Sequence, residues 1–185
     1  MITVITGVSG SGKSEYAEQY AQMLAQNKKL FYVATMKPYG KEADRKIMRH
    51  RKLREGKGFL TLECYENVGD LQLSSEKEDS VILLECMSNL LANEMFCDQK
   101  QKDKKDDKSL VKKILQDIQL LEEKCSHLIV VTNEIFSDGA DYDESTKDYI
   151  KSLGEINRGL VSMADYAAEI VYTVPVLLKD CLAHP

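Results

Sequence analysis

Ile2-Thr3-Val4-Ile5-Thr6-Gly7-Val8-Ser9-Gly10-Ser11-Gly12-Lys13-Ser14 is the stretch that decides the fold. Its first five residues are all β-branched, three of them apolar, as suits a buried strand. From Gly7 onward it fits the phosphate-loop pattern G-x-x-x-x-G-K-[ST], with a helix expected from about Lys13 to Gln26. Glycines let such a loop turn with positive φ and bring its N–H groups close to phosphate oxygens. The N-terminus of the following helix adds its positive dipole end. In this arrangement Lys13 reaches the β- and γ-phosphates, and the Ser14 hydroxyl is a ligand for Mg²⁺. The stretch therefore reads as a binding site for a nucleoside triphosphate.

Working outward, apolar runs alternate with helical stretches. Leu30–Ala34, Phe59–Glu63, Val81–Glu85 and Leu128–Thr132 read as strands. Glu169–Val174 reads as the strand that closes the sheet. Lys41–Arg54, between Gly40 and Gly56, and Ser145–Ala164 read as helices. Leu110, Val111, Ile114, Leu115, Ile118 and Leu121 recur at helical spacing. Continuous apolar strands separated by helices predict a three-layer α/β fold of the P-loop NTPase type. Its central sheet is mostly parallel, with helices on both faces. The only departure is 98–108, built of Lys, Asp and Gln, which reads as a mobile charged loop. The 185 residues are expected to form one nucleotide-binding domain.

Composition narrows the function. A net charge of −5 disfavours a general nucleic-acid or membrane-surface binder, since either needs a positive excess. No apolar run approaches a membrane span. Met1 leads straight into the strand that carries the loop, so no signal peptide is expected. Cys64, Cys86, Cys97, Cys125 and Cys181 are odd in number, with no C-x-x-C pair. That favours reduced thiols in a cytoplasmic protein over a disulfide framework or a zinc site.

Glu85 ends the strongest strand, where a P-loop protein places the carboxylate that approaches magnesium. Asn133 and Glu134 follow another strand at its C-terminal end and are site candidates on the same ground, although loop and capping roles are equally open. In Arg45–Arg54, helical spacing puts Ala43, Ile47, His50 and Arg54 on one face. One imidazole there sits among guanidinium and ammonium groups, on a chain that is acidic overall. Arginines clamp phosphates bidentately, and a neutral imidazole attacks phosphorus, so His50 is a candidate nucleophile. From the residues alone, a solvated surface histidine is an equal reading.

Those residues also carry a resemblance. The chain resembles the bifunctional adenosylcobinamide kinase / adenosylcobinamide-phosphate guanylyltransferase family of cobalamin biosynthesis nearly end to end. The match runs through Thr6–Ser14 with Ala17-Glu18, Tyr32-Val33-Ala34-Thr35, and Ile47-x-x-His50-Arg51-x-x-Arg54. It continues in Leu83-Leu84-Glu85-Cys86, Asn93, Val131-Thr132-Asn133-Glu134, Gly154-x-x-Asn157, Ala164-Asp165 and Val171–Lys179. Near the end, Thr173 stands where the family's V-x-G-x-P has glycine.

The resemblance implies two reactions in one site. A nucleoside triphosphate, GTP or ATP, phosphorylates the aminopropanol hydroxyl of adenosylcobinamide. GTP then transfers GMP to a histidine, and the corrinoid phosphate takes it up to give adenosylcobinamide-GDP. The family's nucleophile falls on His50, with Lys13 as the other catalytic residue. Its nucleotide contacts fall on Gly7, Val8, Ser9, Gly10, Ser11, Gly12, Lys13, Ser14, Ala34, Thr35, Met36, Arg51, Lys52, Leu53, Arg54, Glu63 and Glu85. Mg²⁺ is expected on Ser14 and Glu85, and a homotrimer is implied. A P-loop kinase of another small metabolite, with no covalent GMP, is the alternative. A regulatory GTPase needs N-K-x-D, which Asn133-Glu134-Ile135-Phe136 does not supply.

Overall fold

The computed structural model describes residues 1–96, 107–135 and 142–181. Seven strands form one sheet: β1 (Ile2–Thr6), β2 (Lys29–Ala34), β3 (Phe59–Glu63), β4 (Ser80–Glu85), β5 (His127–Val131), β6 (Tyr166–Val171) and β7 (Val174–Asp180). Their order is β3-β2-β4-β5-β1-β6-β7. All neighbours are parallel except β6 and β7. The helices are α1 (Lys13–Ala25), α2 (Gly40–Arg54), α3 (Met87–Met95), α4 (Asp107–Glu122) and α5 (Glu144–Met163). The mostly parallel α/β sheet expected from the sequence is thus present.

Strand alternation sorts the core into two layers. Val4, Ile82, Leu84, Leu128 and Val130 bury their side chains on the face covered by α3, α4 and α5. Ile5, Val81, Leu83, Ile129 and Val131 point to the other face, covered by α1. There Ala17, Ala21 and Ala25 form a narrow stripe that lets α1 lie close against the strands. This double burial explains why the central strands read as unbroken apolar runs.

Three features differ from the sequence reading. The segment expected as one closing strand belongs to two, because Tyr172 and Thr173 both take positive φ (48° and 68°) and reverse the chain between β6 and β7. Of the expected charged loop, 98–106 lies outside the described residues, while Asp107 and Lys108 already belong to α4. An acid in the first turn of a helix complements its dipole, which accounts for that earlier start. Helix α3 was not anticipated. It follows β4 after a single residue, and its Leu90, Leu91 and Met87 are fully or almost fully buried.

The hairpin tip presses on the phosphate loop. The Thr173 N–H donates to the Ser11 carbonyl at 2.8 Å. A Cβ on Gly12 would meet the Thr173 methyl at 2.9 Å, and one on Gly7 would meet the Ile170 carbonyl oxygen at 2.6 Å. Gly7 and Gly12 also have φ of 149° and 92°, so both positions require glycine twice over.

A two-residue turn with positive φ at both positions favours Asn-Gly, and a β-branched residue there is strained. Replacing Tyr172 by Asn together with Thr173 by Gly should therefore stabilise the protein by about 1 kcal/mol, or roughly 2–4 °C in Tm. A lower Tm in a thermal melt would mean that the Thr173 contact with Gly12 outweighs the relief of backbone strain.

Candidate active site

Parallel strands running the same way bring their C-terminal ends to one edge of the sheet, where α/β folds place ligands. Here that edge gathers the phosphate loop after β1, Ala34–Met36 after β2, Glu85 at the end of β4 and Asn133 after β5. They surround a cavity of about 580 Å³ that α2 overhangs. Its lining includes Ser9, Gly10, Gly12, Lys13 and Ser14 from the loop, and Ala34, Met36, Glu63 and Glu85 from strand ends. Helix α2 contributes His50, Arg51, Leu53 and Arg54. A volume of this size suits a small organic ligand.

Within the loop, Lys13 is buried and its ammonium donates to the Val8 carbonyl at 3.1 Å. Burial pulls its pKa below the ordinary lysine value, while Cys86 and Glu85 nearby act in the opposite sense. The ammonium is thus held inside the loop. Ser11 Oγ is buried without a hydrogen-bond partner.

Glu85 is the centre of the site. Ser14 Oγ donates to its Oε1, and the Tyr32 hydroxyl donates to its Oε2 at 3.3 Å. His50 Nδ1 lies 3.7 Å from the same Oε1 and is buried without a hydrogen-bond partner. Burial, followed by the adjacent Glu85, raises the Tyr32 pKa, so its hydroxyl stays a donor. A serine hydroxyl and a carboxylate side by side are the hard oxygen donors that Mg²⁺ takes from a protein when substrate phosphates and water complete its shell. Among the described residues no three His, Cys, Asp or Glu side chains converge into an all-protein metal cage. The donors present therefore fit a magnesium shared with phosphate.

Arg54 shows what the basic helix is built for. Its guanidinium carbon lies 3.4 Å from the centroid of the Tyr32 ring, a cation–π contact. The residue is 7% exposed, yet Nε and Nη1 have no hydrogen-bond partner. A buried guanidinium left with free donors at a cavity wall is a ready anion clamp. Arg51 is exposed and pairs with Glu63 at 2.8 Å. The Tyr65 hydroxyl and Arg51 together hold the Glu63 carboxyl below its ordinary pKa.

The last turn of α2 is tied down beneath this. Gly56 and Gly58 turn the chain with positive φ, and Lys57 Nζ pairs with the buried Glu18 of α1 at 2.6 Å. Gln22 Nε2 also donates to the Lys57 carbonyl at 3.2 Å. His50 is thereby positioned relative to the helix that begins with Lys13.

Several residues named from the sequence do not line the cavity. Gly7 and Ser11 are buried within the loop, and Val8 is exposed. Thr35 is fully buried and bridges strands instead, donating from Oγ1 to the Cys86 carbonyl and accepting from the Cys86 N–H, both at 2.8 Å. Lys52 is exposed and faces a separate hollow with Arg49 and Phe59. Sequence reasoning missed Tyr32 as the platform for Arg54, and Ser88 and Asn89, which α3 brings to the cavity wall. Recognising α3 from the buried spacing of Met87, Leu90, Leu91 and Glu94 would have pointed to the last two.

Solved structures with this arrangement are distant in sequence. An ATP synthase subunit, NeqB, from Nanoarcheaum equitans superimposes with a TM-score of 0.57 at 10% identity. That match covers 91% of this chain and 45% of the other. The ATPase domain of G40P gives 0.52 at 9% identity, covering 91% of this chain and 68% of that one. The flagellar accessory protein FlaH from Methanocaldococcus jannaschii gives 0.50 at 16% identity, covering 97% and 78%. These share the fold. Closer in sequence are two bifunctional adenosylcobalamin biosynthesis proteins CobU, from Salmonella typhimurium (strain LT2) and Escherichia coli (strain K12). Each is 25% identical over 185 residues, spanning 97% of this chain and all of the relative. A family model described as cobinamide kinase / cobinamide phosphate guanyltransferase matches residues 3–178. With that match running across almost every element of the sheet and site, the chain belongs to the cobinamide kinase / cobinamide phosphate guanyltransferase family.

Proposed function

We propose that this chain phosphorylates adenosylcobinamide and then transfers GMP from GTP, through a guanylylated His50, to adenosylcobinamide phosphate. The observation that carries this reading is a candidate nucleophile and a phosphate loop on one cavity, with Glu85 between them. An ordinary metabolite kinase has no need for an imidazole there.

In the guanylyl step, a His50 nitrogen forms a bond to the α-phosphorus of GTP. The bond from that phosphorus to the α,β-bridging oxygen breaks, and pyrophosphate departs with the electron pair. A phosphate oxygen of the corrinoid then displaces the histidine nitrogen, regenerating His50. Because Nδ1 is turned toward Glu85, Nε2 is the nitrogen left for phosphorus. Glu85 stabilises the imidazolium character that develops as the bond forms, as a carboxylate does beside any nucleophilic histidine. Lys13 and Arg54 balance the charge on the transferred group or on the pyrophosphate. Mg²⁺ held by Ser14 and Glu85 would neutralise phosphate charge and orient the leaving oxygens.

The remaining parts of the reading have narrower support. We take the chain as a single nucleotide-binding unit because all seven strands share one sheet. Homotrimer formation follows from the resemblance, and exposed Val174, Val176, Leu177 and Leu178 along the edge strand β7 favour self-association. Cytoplasmic location is supported by Cys64, Cys86, Cys125 and Cys181, all unpaired among the described residues. No helix among the described residues is long and apolar enough to cross a membrane.

Lys13→Ala should slow both reactions roughly a hundredfold, about 3 kcal/mol of lost transition-state stabilisation, without altering the fold. Turnover near wild type in the purified variant would remove the loop from the chemistry. Glu85→Gln should raise the Mg²⁺ concentration for half-maximal activity about tenfold while Tm stays nearly constant. An unchanged metal titration would leave Ser14 alone as the assigned ligand. Incubation with GTP and Mg²⁺ should add one GMP to the intact protein by mass spectrometry, through an acid-labile, alkali-stable phosphoramidate. His50→Ala should abolish the adduct while nucleotide binding persists. Undiminished labelling of that variant, or a label mapped to His127 or His184, would favour the metabolite-kinase alternative or another nucleophile.

A further inference from the structure

We propose that Asn133 orients the attacking hydroxyl of the acceptor during phosphoryl transfer, accepting its hydrogen bond on the side-chain oxygen. This deepens the phosphorylation half of the proposed function and rests on it.

The placement follows from strand order. β5 lies between β1, which carries the phosphate loop, and β4, which ends in Glu85. Val131 stands level with Ile5 on one side and with Glu85 on the other. Beyond it, the Thr132 and Glu134 N–H groups donate to the Ile5 and Gly7 carbonyls at 2.9 and 3.1 Å. Asn133 is therefore held at the start of the phosphate loop, two residues past the level of the candidate magnesium carboxylate, and it lines the cavity.

The side chain is fixed rather than free. Its Nδ2 donates to Ser88 Oγ at 2.5 Å, and its backbone carbonyl accepts from Asn157 Nδ2 at 3.2 Å. Asn157 is held in turn by the Thr132 hydroxyl, at 2.7 Å. The amide is thus pinned by its nitrogen, while Oδ1 makes no hydrogen bond among the described residues. An unused acceptor on a locked side chain, beside a phosphate loop, matches what an in-line displacement requires of the protein.

The step balances without any further reagent. The acceptor hydroxyl oxygen forms a bond to the γ-phosphorus, and the bond from that phosphorus to the β,γ-bridging oxygen breaks. The nucleoside diphosphate leaves with the electron pair, and the hydroxyl proton passes to an oxygen of the transferred group. A carboxamide cannot take that proton, so Asn133 acts by direction. His50 approaches from α2, on another wall of the cavity, and its attack on the α-phosphorus does not call on Asn133.

The test compares both reactions in the full-length protein, with cobinamide as acceptor. Asn133→Ala should lower the turnover of cobinamide phosphorylation about a hundredfold, leave the KM for nucleotide unchanged, and raise the ratio of nucleotide hydrolysis to transfer. GMP labelling of His50 should be retained, which also reports an intact fold. Should that variant fail to fold, Ser88→Ala, which unpins the amide and gives up the Ser88 Oγ contact with Cys86 Sγ at 3.0 Å, decides in its place. Its expected result is about a tenfold loss of phosphorylation with full labelling. Equal loss of both reactions, or phosphorylation at the wild-type rate and coupling, would overturn the role. A wild-type protein that neither phosphorylates cobinamide nor acquires GMP would instead overturn the proposed function itself.

Discussion

Everything in the site turns on the Glu85 carboxylate, 8% exposed at the end of a strand whose other residues are sealed in the core. A charge in such a place must be compensated, because desolvation of an unpaired carboxylate is prohibitive. The chain answers with the Ser14 hydroxyl, the Tyr32 hydroxyl and the imidazole of His50, drawn from α1, β2 and α2. One buried acid thereby fixes the first helical turn after the phosphate loop relative to the candidate nucleophile. It also sets Tyr32, whose ring face supports the Arg54 guanidinium. Three elements thus share one acceptor.

The second constraint is mechanical. Helix α2 is largely exposed, with Arg54 its one fully buried side chain among those described, so packing alone does not hold it over the cavity. Its hold comes from the C-terminal end, through Lys57 on the buried Glu18 and through Arg54 on Tyr32. Cations in that last turn also complement the negative end of the helix dipole. A helix fixed at one end keeps His50 near Glu85 but leaves the opposite end of α2, around Gly40, at the surface.

How much of this could be read in advance depends on the range of the interaction. β1 and its loop were legible to the residue, because loop chemistry is local and glycine is demanded by backbone geometry at Gly7 and Gly12. The face shared by Ile47, His50 and Arg54 was legible from helical period alone. The β6–β7 reversal was not, because Tyr172 and Thr173 are poor turn formers whose conformation is set by the hairpin and by the Ser11 carbonyl. Thr35 matched a family position but sits in a strand bridge, which only the pairing of β2 with β4 reveals. Tyr32 looked like one apolar residue in a buried run, and its service to Arg54 and Glu85 is tertiary.

The placement of β5 gives a physical reason why one phosphate loop could serve two different transfers. With β5 between β1 and β4, Asn133 lines the same cavity as Lys13 and Glu85. Polar groups then line one cavity from two sides: Asn133 with Ser88 of α3, and His50 with Arg54 of α2. Nucleophiles arriving from separate walls need not compete for one position, and each can address a different phosphorus of a triphosphate held by the loop. On the proposed reading, a second activity required no second nucleotide site, only a helix carrying one imidazole and pinned across the open side of the first.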